Sequence, residues 1–337
     1  MSAPLRIAVT GAGGFCGSHV ARAAAALGLD VDCHGRTPGP VGRHVHWDAT
    51  TGDPDLGAAD VVVHCAAAVA DLPPGSPGEA RQYAVNVTGT ERLMRAALGR
   101  PVVWVSSASV YDPRTTRVSV TEDHPTRGGH LNAYGRTKAA GERIALEAGA
   151  VVLRPRAVYG PGDPHLVPQL LSRVRRGLLV LPGGDVRISL TAVQNLADAC
   201  LTALGLTAPA HTAPDPTAPG QTANGQTANG QTANGPTGRI WPPGAYNIAD
   251  ARPYRRDDAV RAVLAAHGVR ARIAHVPVPL ARLAARTGRF PGLTRYAVDQ
   301  LAHEVTLDLG RARAQGWHPA RDLTAVLRPA RTDAVDD

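Results

Sequence analysis

Apolar positions in the first 155 residues follow two alternating periods. Leu5-Arg-Ile-Ala-Val9, Asp60-Val-Val-Val-His64, Pro101-Val-Val-Trp-Val105 and Ala150-Val-Val-Leu153 have the length and β-branched content of strands buried on both faces. Val31-Asp-Cys33 and His44-Val-His46 read as two shorter strands. The intervening residues 18–27, 86–98 and 134–148 are predicted to be helices; the second carries Val87, Leu93, Met94 and Leu98 as its apolar set. Strand–helix–strand alternation predicts an α/β fold built on a doubly wound parallel sheet. Such sheets bind ligands beyond the C-terminal ends of the strands, where the strand order reverses.

Beyond Tyr159-Gly-Pro-Gly162 the pattern loosens. Residues 166–176 and 194–204 are predicted helices, 187–190 and 245–249 strands, and the chain is then helix-rich to about residue 327. Residues 207–239 interrupt this order with Thr, Ala, Pro, Gly, Gln and Asn, including three copies of Gln-Thr-Ala-Asn-Gly from Gln221 to Gly235. Such a segment has almost nothing to bury, which predicts a disordered surface insertion. The expected organisation is a dinucleotide-binding domain of residues 1–160, 184–206 and 240–250, and a smaller, mostly helical substrate domain of 161–183 and 251–330.

Composition narrows the functional classes. With 4% aromatic residues in 337, the core must be mostly Ala, Val and Leu. The net charge of +8 comes from scattered arginines, with no basic stretch interleaved with aromatics, so the expected partners are anionic small molecules rather than nucleic acid. No apolar run approaches the ~20 residues of a membrane span, and Met1 leads almost directly into the first strand, so a cytoplasmic protein without a membrane partner is expected. Cys16, Cys33, Cys65 and Cys200 form no CxxC pair and no zinc spacing with His, which predicts free thiols and no metal. Of the 36 basic residues, Lys138 is the single lysine. A compact ammonium kept where every other cation is a planar guanidinium points to a position that needs that shape.

The first strand runs into Gly11-Ala-Gly-Gly14-Phe15-Cys16-Gly17 and a helix. Glycines at this turn let the backbone approach a pyrophosphate seated on the helix N-terminus. The second strand ends in Cys33-His-Gly35-Arg36-Thr37, with Gly35 where an NAD site places an acid and Arg36 next to it. Asp30 and Asp32 lie earlier on the strand. NADP(H) is therefore favoured over NAD(H), with Arg36 and Thr37 toward the 2′-phosphate; the alternative is that Arg36 is one solvated arginine among many. Asp48 is placed to approach the adenine, or is a plain loop acid.

Taken together, these pieces resemble the extended short-chain dehydrogenase/reductase family, the NAD-dependent epimerase/dehydratase type. The matching stretches stand in the family's order: the Gly11/Gly14/Gly17 loop, Asp60-Val-Val-Val-His-Cys-Ala66-Ala67, Asn86-Val-Thr-Gly-Thr90, Val105-Ser-Ser-Ala-Ser-Val-Tyr111, Tyr134-Gly-Arg-Thr-Lys138, Leu153-Arg-Pro155-Arg-Ala-Val158-Tyr-Gly160 and Tyr246-Asn-Ile-Ala-Asp250. The resemblance implies a Rossmann-type sheet. It also implies dinucleotide contacts from the glycine loop, Ala66, Ala67, Pro155 and Val158, and a homodimer through the Asn86 and Tyr134 helices.

Tyr134 and Lys138 are i and i+4 on one predicted helix and share a face. A nearby ammonium would lower the phenol's pKa and make Tyr134 a proton donor and acceptor. The resemblance implies that Lys138 also binds the nicotinamide ribose and that Ser107 polarises a substrate carbonyl, with Ser106 and Ser109 as competitors. It further gives Asn86 a place in a proton relay to the lysine; the alternative is a helix cap. Ala157 stands where many nucleotide-sugar enzymes of the family carry Asn, and Ala108-Ser109 lacks the acids a 4,6-dehydratase needs. The expected activity is an NADPH-dependent ketone reductase or secondary alcohol dehydrogenase, of the kind used in natural-product or deoxysugar tailoring. The alternatives are an NAD-dependent nucleotide-sugar epimerase and a cofactor-sensing regulator.

Overall fold

The computed structural model describes residues 4–115, 117–206, 238–289 and 292–327. From the N-terminus, β1 (Arg6–Thr10) leads through α1 (Phe15–Ala26) to β2 (Asp30–Gly35), β3 (Arg43–His46) and β4 (Val61–His64). Helix α2 (Glu79–Tyr83) passes through a π-turn (Ala84–Thr88) into α3 (Gly89–Ala97), then β5 (Val102–Val105), α4 (Ala133–Glu147) and β6 (Val151–Pro155). Next come β7 (Val158–Tyr159), α5 (Leu166–Ser172), β8 (Leu178–Pro182), β9 (Arg187–Ile188), β10 (Thr191–Ala192) and α6 (Val193–Ala203). The remaining elements are β11 (Gly244–Ile248), β12 (Tyr254–Arg255), α7 (Arg256–Ala266), β13 (Arg272–Val276), α8 (Val278–Arg286), α9 (Arg295–Ala302) and two short helices, α10 (Gly310–Arg313) and α11 (Leu323–Leu327).

Seven strands form one sheet in the order β11-β6-β5-β4-β1-β2-β3, every pair parallel. The order reverses between β1 and β4, which opens a crevice above their C-terminal ends. One face of the sheet, with Val9, Val63, Val103 and Leu153, packs on α1 and α6; the other, with Ala8, Val62, Trp104 and Val152, packs on α3 and α4. The core is dominated by Ala, Val and Leu, and all four tryptophans (Trp47, Trp104, Trp241 and Trp317) are buried within it. Each buried Val or Leu contributes roughly 1.5–3 kcal/mol over exposure, so the fold rests on many small increments. Among the described residues, no helix is long and apolar enough to cross a membrane.

The structure departs from expectation in places that matter for the site. Helix α1 begins at Phe15 rather than residue 18, and the Ser18 hydroxyl, within its first turn, donates to the Phe15 carbonyl at 2.9 Å. The helix expected over 86–98 is broken by the π-turn around Asn86. Gly141 of α4 approaches so closely there that an added Cβ would lie 2.1 Å from the Asn86 carbonyl oxygen. π-turns inside helices occur often beside functional sites. Helix α5 ends at Ser172, before the left-handed Arg176 (φ +49°). The strand expected over 187–190 shortens to Arg187–Ile188, which pairs antiparallel with β12, and a separate strand, Thr191–Ala192, pairs parallel with β7. Within the stretch expected to be helical, β13 pairs in parallel with β8. Residues 207–237 of the expected disordered insertion lie outside the described residues. The chain resumes where α6 ends, the Gly238 amide donating to the Gly205 carbonyl at 2.9 Å.

Candidate active site

The glycine loop is shaped by close approaches that no side chain permits. Gly11 has φ +69°, and a Cβ there would sit 2.7 Å from the Ala66 backbone. At Gly17 a Cβ would fall 2.3 Å from the Gly11 carbonyl oxygen, so this glycine lets α1 pack onto the loop. Gly14 precedes α1 with no side-chain cap and no acid in the first turn. The Gly14 amide itself donates to the Gly11 carbonyl at 2.9 Å, while the positive end of the twelve-residue helix stays available to an anion.

Above the loop lies a cleft of about 1,060 Å³. Gly11, Gly14, Arg36, Thr37, Asp48, Ala66 and Ala67 all line it, although they come from four separate segments. Phe15, Cys16 and Gly17 form the first turn of α1 beneath it, while Pro155 and Val158 stand at β6 and β7 and are not part of its lining. A Cβ on Gly35 would meet only the Thr37 carbonyl oxygen at an ordinary 3.5 Å, so nothing steric keeps an acid from this position. The acids of β2 are engaged elsewhere: Asp32 is buried against Arg43 at 2.7 and 2.9 Å, and Asp30 pairs with Arg6 at 3.0 Å. Asp48 accepts from the Thr50 amide and hydroxyl at 2.9 and 2.7 Å. These bonds, with the charges of Arg36 and Arg81, hold its carboxyl below the usual range. Arg81, on α2, also lines the cleft; its sequence distance from the β2 end hid it from sequence reasoning. Backbone loop, helix terminus and two cations together fit a dinucleotide, and Arg36 with Arg81 would face its adenosine end.

The catalytic candidates stand just past the C-terminal end of β5 and in the first two turns of α4. Asn132 caps α4 by accepting from the Gly135 amide at 2.9 Å, which puts Tyr134 in the first turn and Lys138 one turn later. Ser106 is buried and donates to Glu142. Glu142 in turn pairs with buried Arg154 at 2.6 Å, and Arg154 reaches the Tyr111 hydroxyl at 3.0 Å. Ser106 thus belongs to a network that braces the sheet. Ser107 instead donates to Ser109 Oγ at 3.1 Å, and Ser109 Oγ shares a 2.7 Å hydrogen bond with the hydroxyl of Tyr296 on α9. Ser107, Ser109 and Tyr296 line a second cavity of about 490 Å³, with Leu166, Leu170 and Leu190 among its apolar walls. Tyr296 was not legible as a site residue, because it lies 187 residues from Ser109.

The contacts around Asn86 and Lys138 bear on the expected proton handling. Asn86 neither caps a helix nor bonds to Lys138. Its Oδ1 accepts from the Ala68 amide at 2.8 Å, and its Nδ2 donates to the Ala68 carbonyl at 3.1 Å and Thr137 Oγ1 at 3.0 Å, so its side chain clamps the loop after β4 onto α4. Lys138 is engaged by β5. Its Nζ donates to the Val105 carbonyl at 2.7 Å and lies 3.5 Å from the Trp104 ring centre. Burial pushes the Lys138 pKa down to about 7, opposed by Glu142, Cys65 and Cys16. Burial also raises Tyr134 well above the usual phenol range; Tyr296 and Cys16 reinforce the rise, and a hydrogen bond with Ser107 opposes it. The phenol is held protonated. The four cysteines are free thiols, Cys33 and Cys200 buried, Cys16 and Cys65 partly so.

Comparison with known proteins gives this geometry its context. Residues 7–212 match the family model described as NAD dependent epimerase/dehydratase family. The chain is 26% identical to the 4-hydroxy-2-methyl-3-oxo-4-farnesyl-3,4-dihydroquinoline-1-oxide ketoreductase of Stigmatella aurantiaca, over 94% of this chain and 92% of that protein. It is 33% identical to the 2-alkyl-3-oxoalkanoate reductase of Stenotrophomonas maltophilia, but that match spans 57% of this chain and 63% of the relative. Among solved structures, MoeE5 in complex with UDP-glucuronic acid and NAD shares the fold with a TM-score of 0.66 at 23% identity, over 96% of each chain. The chain belongs to the NAD dependent epimerase/dehydratase family, of the extended short-chain dehydrogenase/reductase type, and is an NAD(P)-dependent enzyme acting on CH–OH or C=O groups.

Proposed function

We propose that this protein is a cytoplasmic, homodimeric NADPH-dependent ketone reductase, acting in the reverse sense as a secondary alcohol dehydrogenase. The observation that carries the reading is Ser107 on the wall of an apolar-lined cavity and hydrogen-bonded to Tyr134, with Lys138 one turn behind the tyrosine. In this reading residues 1–160, 184–206 and 240–250 hold the dinucleotide, and 161–183 with 251–330 shape the substrate cavity. When bound, the nicotinamide supplies the hydride. Ser107 donates its hydroxyl hydrogen bond to the substrate carbonyl oxygen and polarises it. Tyr134, kept neutral by burial, delivers a proton to the oxygen as negative charge develops there. Lys138 supplies a compact positive charge at the buried rear of the site and reaches toward the ribose hydroxyls. Asn86 acts as a positioning residue, because it fixes the loop carrying Ala66 and Ala67.

The relatives named as reductases support net reduction, and the missing acid at Gly35 with Arg36 and Arg81 across the cleft supports NADPH over NADH. Two measurements on the purified protein test this reading. NADPH consumption should be stoichiometric with alcohol formed from a ketone panel. Arg36→Ala should weaken NADPH binding by ~10–100-fold, the loss of a charge-assisted contact, while leaving NADH affinity unchanged. Tightly retained NAD(H), with no net consumption and interconversion of a UDP-sugar, would replace this reading with a nucleotide-sugar epimerase, the reading that the likeness to the UDP-sugar-bound fold keeps in play.

A further inference from the structure

Among the described residues, three arginines expose less than a tenth of their surface, and one of them differs from the others. Arg154 pairs with Glu142 at 2.6 Å, and Arg256 pairs with Asp257 at 3.0 Å. Arg156 is 6% exposed, and its hydrogen-bond partners are all neutral. Nη1 donates to the Ser189 carbonyl at 2.7 Å, while Nη2 makes only long contacts with the Gln300 carbonyl and Oε1, at 3.3 and 3.4 Å. Nε is buried and has no partner. The acid acting on it, Asp299, is already gripped by both terminal nitrogens of Arg117 and paired with His303.

Leaving a guanidinium dry and without a counter-ion costs several kcal/mol by itself. Folding alone supplies no reason to keep it, since a neutral residue would remove that cost. Arg156 lines the cavity that Ser107, Ser109 and Tyr296 share. Electrostatically it acts on Tyr296, whose hydroxyl begins the hydrogen-bonded chain to Ser109 and Ser107. The under-used edge, Nε with Nη2, is the fork that grips both oxygens of a planar carboxylate. The remaining charges on the cavity wall do not supply the missing anion. Asp71 is bonded to Asn132 and Thr294, and Arg173 and Arg117 add further positive charge.

We propose that Arg156 is the carboxylate anchor of the substrate, so that the enzyme reduces an oxo acid whose ketone faces Ser107 and Tyr134. The carboxylate replaces the long Gln300 contacts on the Nε–Nη2 edge, and the leucine-rich wall takes the alkyl body. Hydride adds to the ketone carbon, the C=O π pair moves to oxygen, and Tyr134 protonates that oxygen; the carboxylate stays unchanged. This rests on the reductase reading for the chemistry but not for the binding.

The test uses 2-, 3- and 4-oxooctanoate and their methyl esters, with the full-length protein and NADPH. For the best acid, wild type should favour the acid over its ester by about 100-fold in kcat/KM, the worth of a buried charge-assisted pair. Arg156→Met should erase that preference by lowering kcat/KM for the acid far more than for the ester, with NADPH affinity unchanged; Arg156→Lys should recover part of it. Equal use of acid and ester by wild type, or an equal loss on both in Arg156→Met, overturns the anchor while leaving a reductase. Should no substrate consume NADPH, the reductase reading fails. Calorimetry with octanoate and methyl octanoate then decides the anchor: tighter binding of octanoate by wild type alone supports it, and no difference overturns it. Arg156→Met that fails to fold leaves the wild-type acid-to-ester ratio as the deciding number.

Discussion

The ammonium of Lys138 lies 3.5 Å above the Trp104 ring, with the Val105 carbonyl 2.7 Å away. The ring and carbonyl compensate part of the charge on the chain's single lysine, which is 1% exposed. A planar guanidinium needs room for a fork where the structure leaves room for a point. Lys138→Arg is expected to fold, to keep its positive charge and to lose at least ~100-fold in kcat, in line with the ~10²-fold cost of small misplacements at a reacting centre. Steady-state kinetics with circular dichroism as a folding control check this; near-wild-type turnover would mean that the lysine is replaceable.

The same enclosure makes a pH prediction. The Lys138 pKa falls to about 7 in the fold, from an ordinary value of 10.5. Between those limits the unfolded chain holds a proton that the folded one has released, so this residue makes stability rise with pH from about 7 to 10.5. Below pH 7 both states are protonated, and the burial penalty is fully present. Lys138→Met removes the penalty. In denaturant titrations without cofactor, the stability advantage of the Met variant over wild type should be largest below pH 7 and shrink steadily toward pH 10.5. A difference independent of pH across that window would contradict the burial of a titrating ammonium.

Tyr296 joins α9 to the strand-end serines through a 2.7 Å hydrogen bond to Ser109. Tyr296→Phe keeps the ring and removes that link. The expected result is a fall of about 5–10-fold in kcat/KM, the worth of one hydrogen bond of about 1 kcal/mol or slightly more, with NADPH affinity unchanged. Fluorescence titration of the cofactor beside substrate kinetics separates the two; equal losses in both would make Tyr296 a packing residue only.

Local periodicity and glycine spacing carried the sheet and the cofactor cleft. β1, β4, β5 and β6 are short buried runs, and the Gly11-to-Gly17 spacing marks a turn that only glycine can make. The i,i+4 spacing placed Tyr134 and Lys138 on one helix without any knowledge of tertiary structure. Other features depend on contacts between distant segments. The π-turn at Asn86 exists because Gly141 of another helix presses against it. Leu178–Pro182 becomes a strand because Arg272–Val276 lies beside it, and two of its own apolar residues, Leu178 and Val180, remain exposed, which blurs the pattern. Arg81, Tyr296 and the unpaired edge of Arg156 acquire meaning only once the cavity walls are assembled. The expected influence of Lys138 on Tyr134 followed from helical spacing alone, and spacing does not report burial, which raises the Tyr134 pKa.

The central claim is net hydride transfer to a ketone with Tyr134 as the proton donor. NADPH carrying deuterium at the transferring C4 position, incubated with the protein and an oxo acid, tests it by mass spectrometry of the product. The account predicts one deuterium on the new carbinol carbon per NADP⁺ formed, and a loss of at least ~100-fold in that rate for Tyr134→Phe, the scale of a missing general acid. Product without deuterium, or an unchanged rate in Tyr134→Phe, would contradict it.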